Sequence, residues 1–272
     1  MASMSLRHVL VILLCVLLLG AVRFGSRTPD STHYLDLTAF FEGNFPFEEL
    51  QPPFAYRVIP SWVASVIPGP PVPAFAGMNL AATFLAYMIF ARVLLSFARD
   101  QAEFDVGMTL MVISFPSINY ASKVGTDPMG FLFFVAGALA LRFDRFLIAA
   151  LVLSAGVFAR EAVVSLSLAG WICLWLRRDY FRRRALFYGA ALIVPVFFLF
   201  LPRLWLADHP QYVWTPEFDR IATNLTRPVI WFTVLATTGP LGILLIYGLK
   251  RGSPAKLAFL SNAGRVWIFS VS

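Results

Sequence analysis

Charged side chains gather in short segments that join runs of apolar residues. The first segment is STHYLDLTAFFEG at residues 31–43, which contains Asp36. Tyr34, Leu37 and Phe41 recur at helical spacing, which predicts an apolar stripe with Asp36 on the opposite side of the helix. The carboxylate in that position is suited to take a proton from a hydroxyl, to bind a metal through oxygen, or simply to face water.

The second segment is QPPFAYRVIPSW at residues 51–62, in which Tyr56 and Arg57 precede a short apolar run. A guanidinium offers a planar fork of donors that suits phosphate. The alternative is an arginine that reaches toward lipid head groups while its stem stays among apolar atoms.

The third and fourth segments are SKVGTDP at residues 122–128 and FARE at residues 158–161. Lys123 and Asp127 are candidates to face a polar cavity, although an Asp-Pro pair also favours the start of a helix. Arg160 and Glu161 interrupt a long apolar stretch, and charges in such a place usually face a cavity or a partner. A tight hairpin turn is the other interpretation of FARE.

A fifth polar region, at about residues 204–227, mixes Trp, Tyr and acidic residues with His209 and Arg220. Such a loop is suited to cover a sugar or a lipid head group. Aromatic residues close to a bilayer also form an interfacial belt, so both interpretations stay open.

The composition indicates what kind of elements position these residues. The chain is 59% hydrophobic and 14% charged, and its mean hydropathy is +0.74. A soluble domain carries about 25% charged residues, so this composition predicts an all-α, polytopic integral membrane protein. The net charge of +7 fits basic cytoplasmic loops and does not predict a nucleic-acid partner.

Apolar runs predict about eight transmembrane helices, since a span needs about 20 apolar residues. They fall at about 6–23, 74–97, 105–122, 128–143, 145–159, 161–176, 185–203 and 228–249. The run at 58–68 is too short to span, which predicts an interfacial or re-entrant segment ended by PGPPVP. The stripe beside Asp36 is likewise expected to lie on the membrane surface.

Lysine and arginine counts set the orientation. The basic cluster RRDYFRRR at 177–184 places the N-terminus in the cytoplasm of a multi-pass inner-membrane protein. Two long outer loops, about 24–73 and 204–227, then share the periplasmic or extracellular side with SKVGTDP and FARE. An active site on that side is expected to draw on all four.

The domain organisation predicted from the sequence is a single transmembrane domain over residues 1–272. No internal repeat is evident, and the end SNAGRVWIFSVS fits a C-terminally shortened chain. The sequence contains no glycine-rich phosphate loop, HExxH or GxSxG motif, which argues against soluble nucleotide enzymes and zinc or serine hydrolases.

The ordered set HYLDLTAFF, PFAYRVIPSWVA, KVGTDPMGFLFF and FARE resembles bacterial membrane glycosyltransferases of the GT-C fold over about residues 30–165. The resemblance implies a sugar donor linked to polyprenyl phosphate, and a glycan, lipid or protein acceptor. It also implies Asp36 as catalytic base or metal ligand, with Arg57, Lys123 and Arg160 on the lipid phosphate. Cofactors stay open, with a divalent ion such as Mg²⁺ or Mn²⁺ as the possible metal.

Two other functions remain possible at this point, a non-catalytic assembly subunit and a transporter or flippase for a lipid-linked or anionic substrate. A transporter is expected to carry broken helices near the middle of the membrane, often with repeat symmetry. The enzyme hypothesis predicts that Asp36, Arg57 and Arg160 line one outward-opening cavity. The assembly hypothesis predicts that they scatter over the lipid-facing surface.

Overall fold

The computed structural model describes residues 4–167, except 53, 97, 99, 114–120 and 144, together with 189, 191–201, 204, 226 and 228. The chain forms two compact units, one of Met1–Ile113 with Ser117–Tyr212 and one of Ser114–Pro116 with Val213–Ser272. Every described residue except Thr226 and Pro228 belongs to the first unit.

The described residues are mostly helical, and one isolated bridge between Arg27 and Val124 is the only β pairing among them. The helices in chain order are α1 Leu6–Arg23, α2 Ser31–Phe41, α3 Val58–Val66, α4 Pro71–Leu95, α5 Gln101–Val112, α6 Asp127–Arg142, α7 Phe146–Val157 and α8 Ala191–Leu201. Short 3-10 turns occupy Phe47–Glu49, Phe54–Tyr56 and Glu161–Val163. The helical class predicted from the sequence is confirmed.

Two of the described helices are long and apolar enough to cross a bilayer. They are α1, with 18 residues, and α4, with 25 residues. Helices α6, α7 and α8 overlap predicted spans but are shorter than α1 and α4, and α6 and α7 have 16 and 12 residues. The predicted span at 228–249 lies outside the described residues, apart from Pro228.

Proline sets the boundary between α3 and α4. Ile67 is extended (φ −83°, ψ 120°), as expected for a residue that precedes proline, and α3 ends at Val66. Pro71 then begins α4, because a proline at the first helical position loses no hydrogen bond. The PGPPVP stretch therefore ends one helix, as predicted, and also starts the next one three residues earlier than predicted.

Helix α4 contacts most of the other described elements of its unit, among them α1, α3, α5 and α6. Phe75 and Met78 of α4 pack with Tyr34 of α2 and Val124 of the 121–126 turn in one apolar cluster. This cluster fixes the end of α4 that lies nearest to the polar loops.

The apolar stripe of α2 faces the protein, which corrects its predicted place on the membrane surface. Tyr34 and Leu37 are almost completely buried. Leu37 packs with Leu50, Ala55 and Tyr56, and Tyr34 packs against α3 and α4. The helical periodicity was correct, but it also describes a helix that packs against a neighbouring part of the same chain.

Candidate functional site

A polar pocket of about 700 Å³ lies where the loops at one end of the helices meet. Its wall comes from the segment before α2, the Phe54–Tyr56 turn, the start of α6 and the FARE segment. The lining residues are Arg27, Thr28, Pro29, Asp30, Tyr34, Phe54, Arg57, Lys123, Val124, Gly125, Asp127, Pro128 and Arg160. Each of the first four polar segments identified in the sequence contributes to this lining, the first through Tyr34, the second through Arg57, the third through Lys123 and the fourth through Arg160.

The turn at 121–126 is fixed by bonds to its backbone carbonyls. The buried Asn79 amide of α4 donates to the carbonyls of Lys123 (2.6 Å) and Gly125 (3.0 Å). The Ser31 hydroxyl of α2 donates to the Val124 carbonyl at 2.8 Å. Because the backbone is held from two helices, the side chains of this turn project from a fixed base.

The segment that follows α1 pairs with the same turn. The Gly25 N–H donates to the Ser122 carbonyl at 3.1 Å, and the Val124 N–H donates to the Ser26 carbonyl at 3.1 Å. Gly25 has a φ of +68°, a conformation that glycine adopts without steric cost. This pairing brings Arg27 and Asp30 to the pocket.

Arg57 is held on three sides. Its Nε donates to Glu161 Oε2 at 3.0 Å, and an Nη1 hydrogen bond of 2.5 Å reaches the Tyr34 hydroxyl. Its guanidinium carbon also lies 5.8 Å from the centre of the Phe54 ring. Burial lowers the pKa of Arg57, but the charge of Glu161 and the bonds to Glu161 and Tyr34 outweigh it and raise the pKa overall.

Arg160 forms an ion pair with Asp127 at the start of α6. Gly130, one turn further along α6, allows this approach, because a Cβ placed there would come within 2.7 Å of Arg160 Cβ. The Phe158 carbonyl also accepts a hydrogen bond from the Ile59 N–H at 3.1 Å. The FARE segment is therefore tied to both α6 and α3.

Lys123 is one of the four cationic side chains that line the pocket. Burial lowers its pKa, and the nearby positive charge of Arg23 lowers it further, while Asp127 acts in the opposite direction. Lys123 therefore lies within the electrostatic reach of both a cation and an acid at the rim of the pocket.

Three residues predicted for the site, Asp36, Tyr56 and Glu161, lie outside the pocket lining, and Glu161 is paired with Arg57. Asp36 is two residues beyond Tyr34 on α2, which places it on the opposite side of the helix. Burial raises the pKa of Asp36, and His33 partly opposes this effect. Tyr56 is buried in the apolar cluster with Leu37, so the aromatic residues at the pocket are Tyr34 and Phe54.

Arg27 and Asp30 are pocket residues that the sequence analysis did not select. Both side chains are exposed, and neither forms an ion pair or side-chain hydrogen bond within the described part of the chain. The signal in the sequence was RTPD at residues 27–30, two opposite charges around a Thr-Pro pair directly after α1. His209 and Arg220, also predicted for the site, lie outside the described residues.

The charges of the lining indicate the kind of ligand. Four cationic and two acidic side chains line the pocket, which leaves a formal excess of two positive charges. Guanidinium and ammonium groups in one cavity suit phosphate oxygens. Within the described residues, no group of three or more His, Cys, Asp or Glu side chains is placed to hold a metal ion.

No known protein family, no characterised protein and no solved structure matches this chain.

Proposed function

We propose that this protein is a multi-pass membrane glycosyltransferase of the GT-C type. In this proposal it transfers a sugar from a donor linked to polyprenyl phosphate to a glycan, lipid or protein acceptor on the non-cytoplasmic face. The observation that carries the proposal is the convergence of Arg27, Arg57, Lys123 and Arg160 on one pocket.

The charge balance of the reaction supports this assignment. A sugar linked to polyprenyl phosphate is a phosphodiester with one negative charge. Transfer of the sugar leaves a phosphate monoester, which carries up to two. The pocket lining carries a formal excess of two positive charges, one of which Glu161 offsets through its pair with Arg57. The remaining positive charge favours the product side of that change, and cations placed where charge develops lower the barrier.

Asp30 is the carboxylate best placed to take the proton of the acceptor hydroxyl. It lines the pocket and forms no ion pair among the described residues, whereas Asp127 is paired with Arg160. A carboxylate acts as a general base when it lies within hydrogen-bond reach of the proton. Asp36, the base implied by the family resemblance, has the raised pKa of a better proton acceptor but lies outside the pocket lining.

The arrangement of helix ends supports the membrane topology proposed with this function. The C-terminal end of α1, the N-terminal ends of α4 and α6 and the segment after α7 lie on the pocket side. Away from the pocket, the α1 residue His8 meets the α5 residue Asp105 at 3.2 Å, and Arg142 at the end of α6 bonds to Ser96. We propose eight spans with the N-terminus in the cytoplasm and the pocket on the outer side of the inner membrane.

The two alternative functions fit the pocket less well. An assembly subunit has no need for four cations in one cavity, and Arg57 and Arg160 share that cavity. A transporter is expected to place its charges near the middle of the bilayer, whereas these lie in the loops at one end of the helices.

The experiment is a turnover assay with purified protein in nanodiscs and a panel of polyprenyl-phosphate sugars. Wild type is expected to release polyprenyl phosphate from at least one donor, with the sugar passing to water when no other acceptor is supplied. Asp30→Asn is expected to lose roughly a hundredfold or more of that rate, while Asp36→Asn keeps most of it. If Asp36→Asn loses its turnover rate and Asp30→Asn does not, Asp36 is the general base. If wild type turns over no donor, the proposed function is contradicted.

A further inference from the structure

The two ion pairs that meet at the FARE segment differ in how firmly they are held. Arg57 and Glu161 have side chains that are 17% and 20% exposed, and Arg57 also bonds to Tyr34. Glu161 is absent from the pocket lining. This pair therefore holds Arg57 through a partner that does not itself line the pocket.

The Arg160–Asp127 pair is more open. The two side chains are 37% and 30% exposed, and both partners line the pocket. Within the part of the chain that the structure describes, Asp127 is the one side chain that pairs with the Arg160 guanidinium. A ligand that enters the pocket therefore meets this guanidinium with a carboxylate already bound to it.

Resting on the proposed function, we propose that the Asp127 carboxylate holds the place on Arg160 that phosphate oxygens take when the substrate binds. Ligand binding is then an exchange of one ion pair for another. Carboxylate and phosphate present paired oxygens to a guanidinium fork in the same way, so each is a direct competitor of the other.

The surroundings of Asp127 make its release from Arg160 possible. Its charge already acts on Lys123, so a second cation lies within its electrostatic reach. Asp127 is also the first residue of α6, where the positive end of the helix dipole favours a negative charge. The carboxylate that loses Arg160 thus keeps two sources of stabilisation.

The exchange also bears on how the pocket responds to ligand charge. The cost of breaking the Asp127–Arg160 pair is the same for a dianionic phosphate monoester and for a monoanionic diester. Repulsion from the displaced Asp127 carboxylate adds to that cost and acts more strongly on the dianion. We expect the preference for the dianion to stay the same or to grow when Asp127 loses its charge.

The test is titration calorimetry of the full chain in nanodiscs of zwitterionic lipid. The probes are dodecyl phosphate, largely dianionic at about pH 8, and methyl dodecyl phosphate, which carries one charge. Asp127→Asn is expected to bind dodecyl phosphate roughly tenfold more tightly than wild type, and to bind the diester more tightly by a factor no larger than that. Asp127→Glu keeps the competing charge, so its affinity is expected to stay near that of wild type.

Glu161→Gln is the matched control, because it removes an equal charge from the neighbouring pair. Glu161 positions Arg57 and does not compete, so this variant is expected to bind no more tightly than wild type. Equal tightening in both variants would reduce the effect to general electrostatics and overturn the exchange. If Asp127→Asn fails to fold, Asp127→Ser enters the same comparison.

The outcomes separate the exchange from the proposed function. Binding by wild type without tightening in Asp127→Asn overturns the exchange and leaves the anion pocket in place. No binding of either probe by any variant overturns both. Tightening in Asp127→Asn and not in Glu161→Gln, with the preference for the dianion unchanged or larger, supports the exchange.

Discussion

Arg57 illustrates how single residues define this site. Its guanidinium meets Glu161, the Tyr34 hydroxyl and the Phe54 ring, so two of its five N–H donors bond to the protein. It contributes a fixed positive charge to the wall of the pocket. Arg27, in contrast, reaches the pocket without an ion pair among the described residues. The pocket wall therefore contains one cation held by protein contacts, Arg57, and one without an ion pair among the described residues, Arg27.

Removing either member of the Arg57–Glu161 pair is expected to destabilise the protein, because the other is left without its partner in a partly buried place. Loss of one partner of a buried pair costs about 3–5 kcal/mol, and the remaining exposure reduces this to about 1–3 kcal/mol. Arg57→Ala, Glu161→Ala and the double variant form a cycle that thermal unfolding in detergent can measure. The loss of stability in the double variant is expected to be smaller than the sum of the losses in the two single variants. Strictly additive losses would contradict the pairing.

Asp36 gives a prediction about pH that is independent of catalysis. Burial raises the pKa of its carboxyl in the folded protein, so the folded state holds its proton more tightly than the unfolded state. The contribution of Asp36 to stability is therefore present in acid and is lost as the pH rises from the ordinary carboxyl pKa of about 4 through the raised value.

Asp36→Asn is accordingly expected to melt at a higher temperature than wild type near pH 7. The difference is expected to shrink as the pH falls through the Asp36 pKa, and melting curves between about pH 4 and pH 8 measure it. A difference that grew in acid would contradict the assigned direction of the pKa shift.

The sequence indicated some of these residues better than others. Arg57, Lys123, Asp127 and Arg160 stood out because charges within apolar sequence are rare, and all four line the pocket. Asp30 reaches it through a backbone pairing between residues nearly one hundred positions apart. A local sequence pattern does not encode such a contact, so Asp30 is recognised as a pocket residue only from the fold.

At the scale of elements, the site depends on how closely α6 approaches the FARE segment. Gly130 lies against the Arg160 side chain, and a Cβ at this position would stand 2.7 Å from Arg160 Cβ. Gly77 of α4 is a helical glycine with free space beside it, because nothing lies within 4 Å of a Cβ placed there.

Gly130→Ala is expected to displace Arg160 and to weaken phosphate binding by roughly threefold to tenfold, with a loss of stability of about 1–3 kcal/mol from overpacking. Gly77→Ala is expected to be neutral or to stabilise its helix by up to about 1 kcal/mol. Calorimetry with dodecyl phosphate and thermal unfolding measure the two effects. Similar behaviour of both variants would show that Gly130 is not required for the approach of Arg160.

The positions of helices along the chain could be predicted from apolar runs, but the packing between helices could not. The runs predicted α1 at 6–23, where the structure has Leu6–Arg23, and α3 within 58–68, where it has Val58–Val66. The stripe of α2 was assigned to the membrane surface but packs inside the protein. Periodicity identifies the apolar face of a helix, and only the neighbouring elements decide what covers it.

At the scale of the whole molecule, the proposal requires the segment before α4 and the segment before α5 to lie on opposite sides of the membrane. Glu48 lies between α2 and α3 and Ala102 lies at the start of α5, and both are exposed. Glu48→Cys is expected to react with a membrane-impermeant maleimide in intact cells. Ala102→Cys is expected to react only after the cells are permeabilised. In both variants the two native cysteines, Cys15 and Cys173, are replaced so that only the introduced cysteine reacts. Reversed labelling would contradict the proposed orientation.

The pocket is proposed to bind the phosphate of a lipid carrier, and the decisive experiment is equilibrium binding of a polyprenyl monophosphate to purified protein in zwitterionic nanodiscs. Wild type is expected to bind saturably, and Arg160→Gln to bind roughly tenfold more weakly, because a charge-assisted bond to phosphate is lost. Arg142→Gln removes an equal charge at Ser96, away from the pocket, and is expected to bind as wild type does. No saturable binding by wild type, or an equal loss in both variants, would contradict the claim.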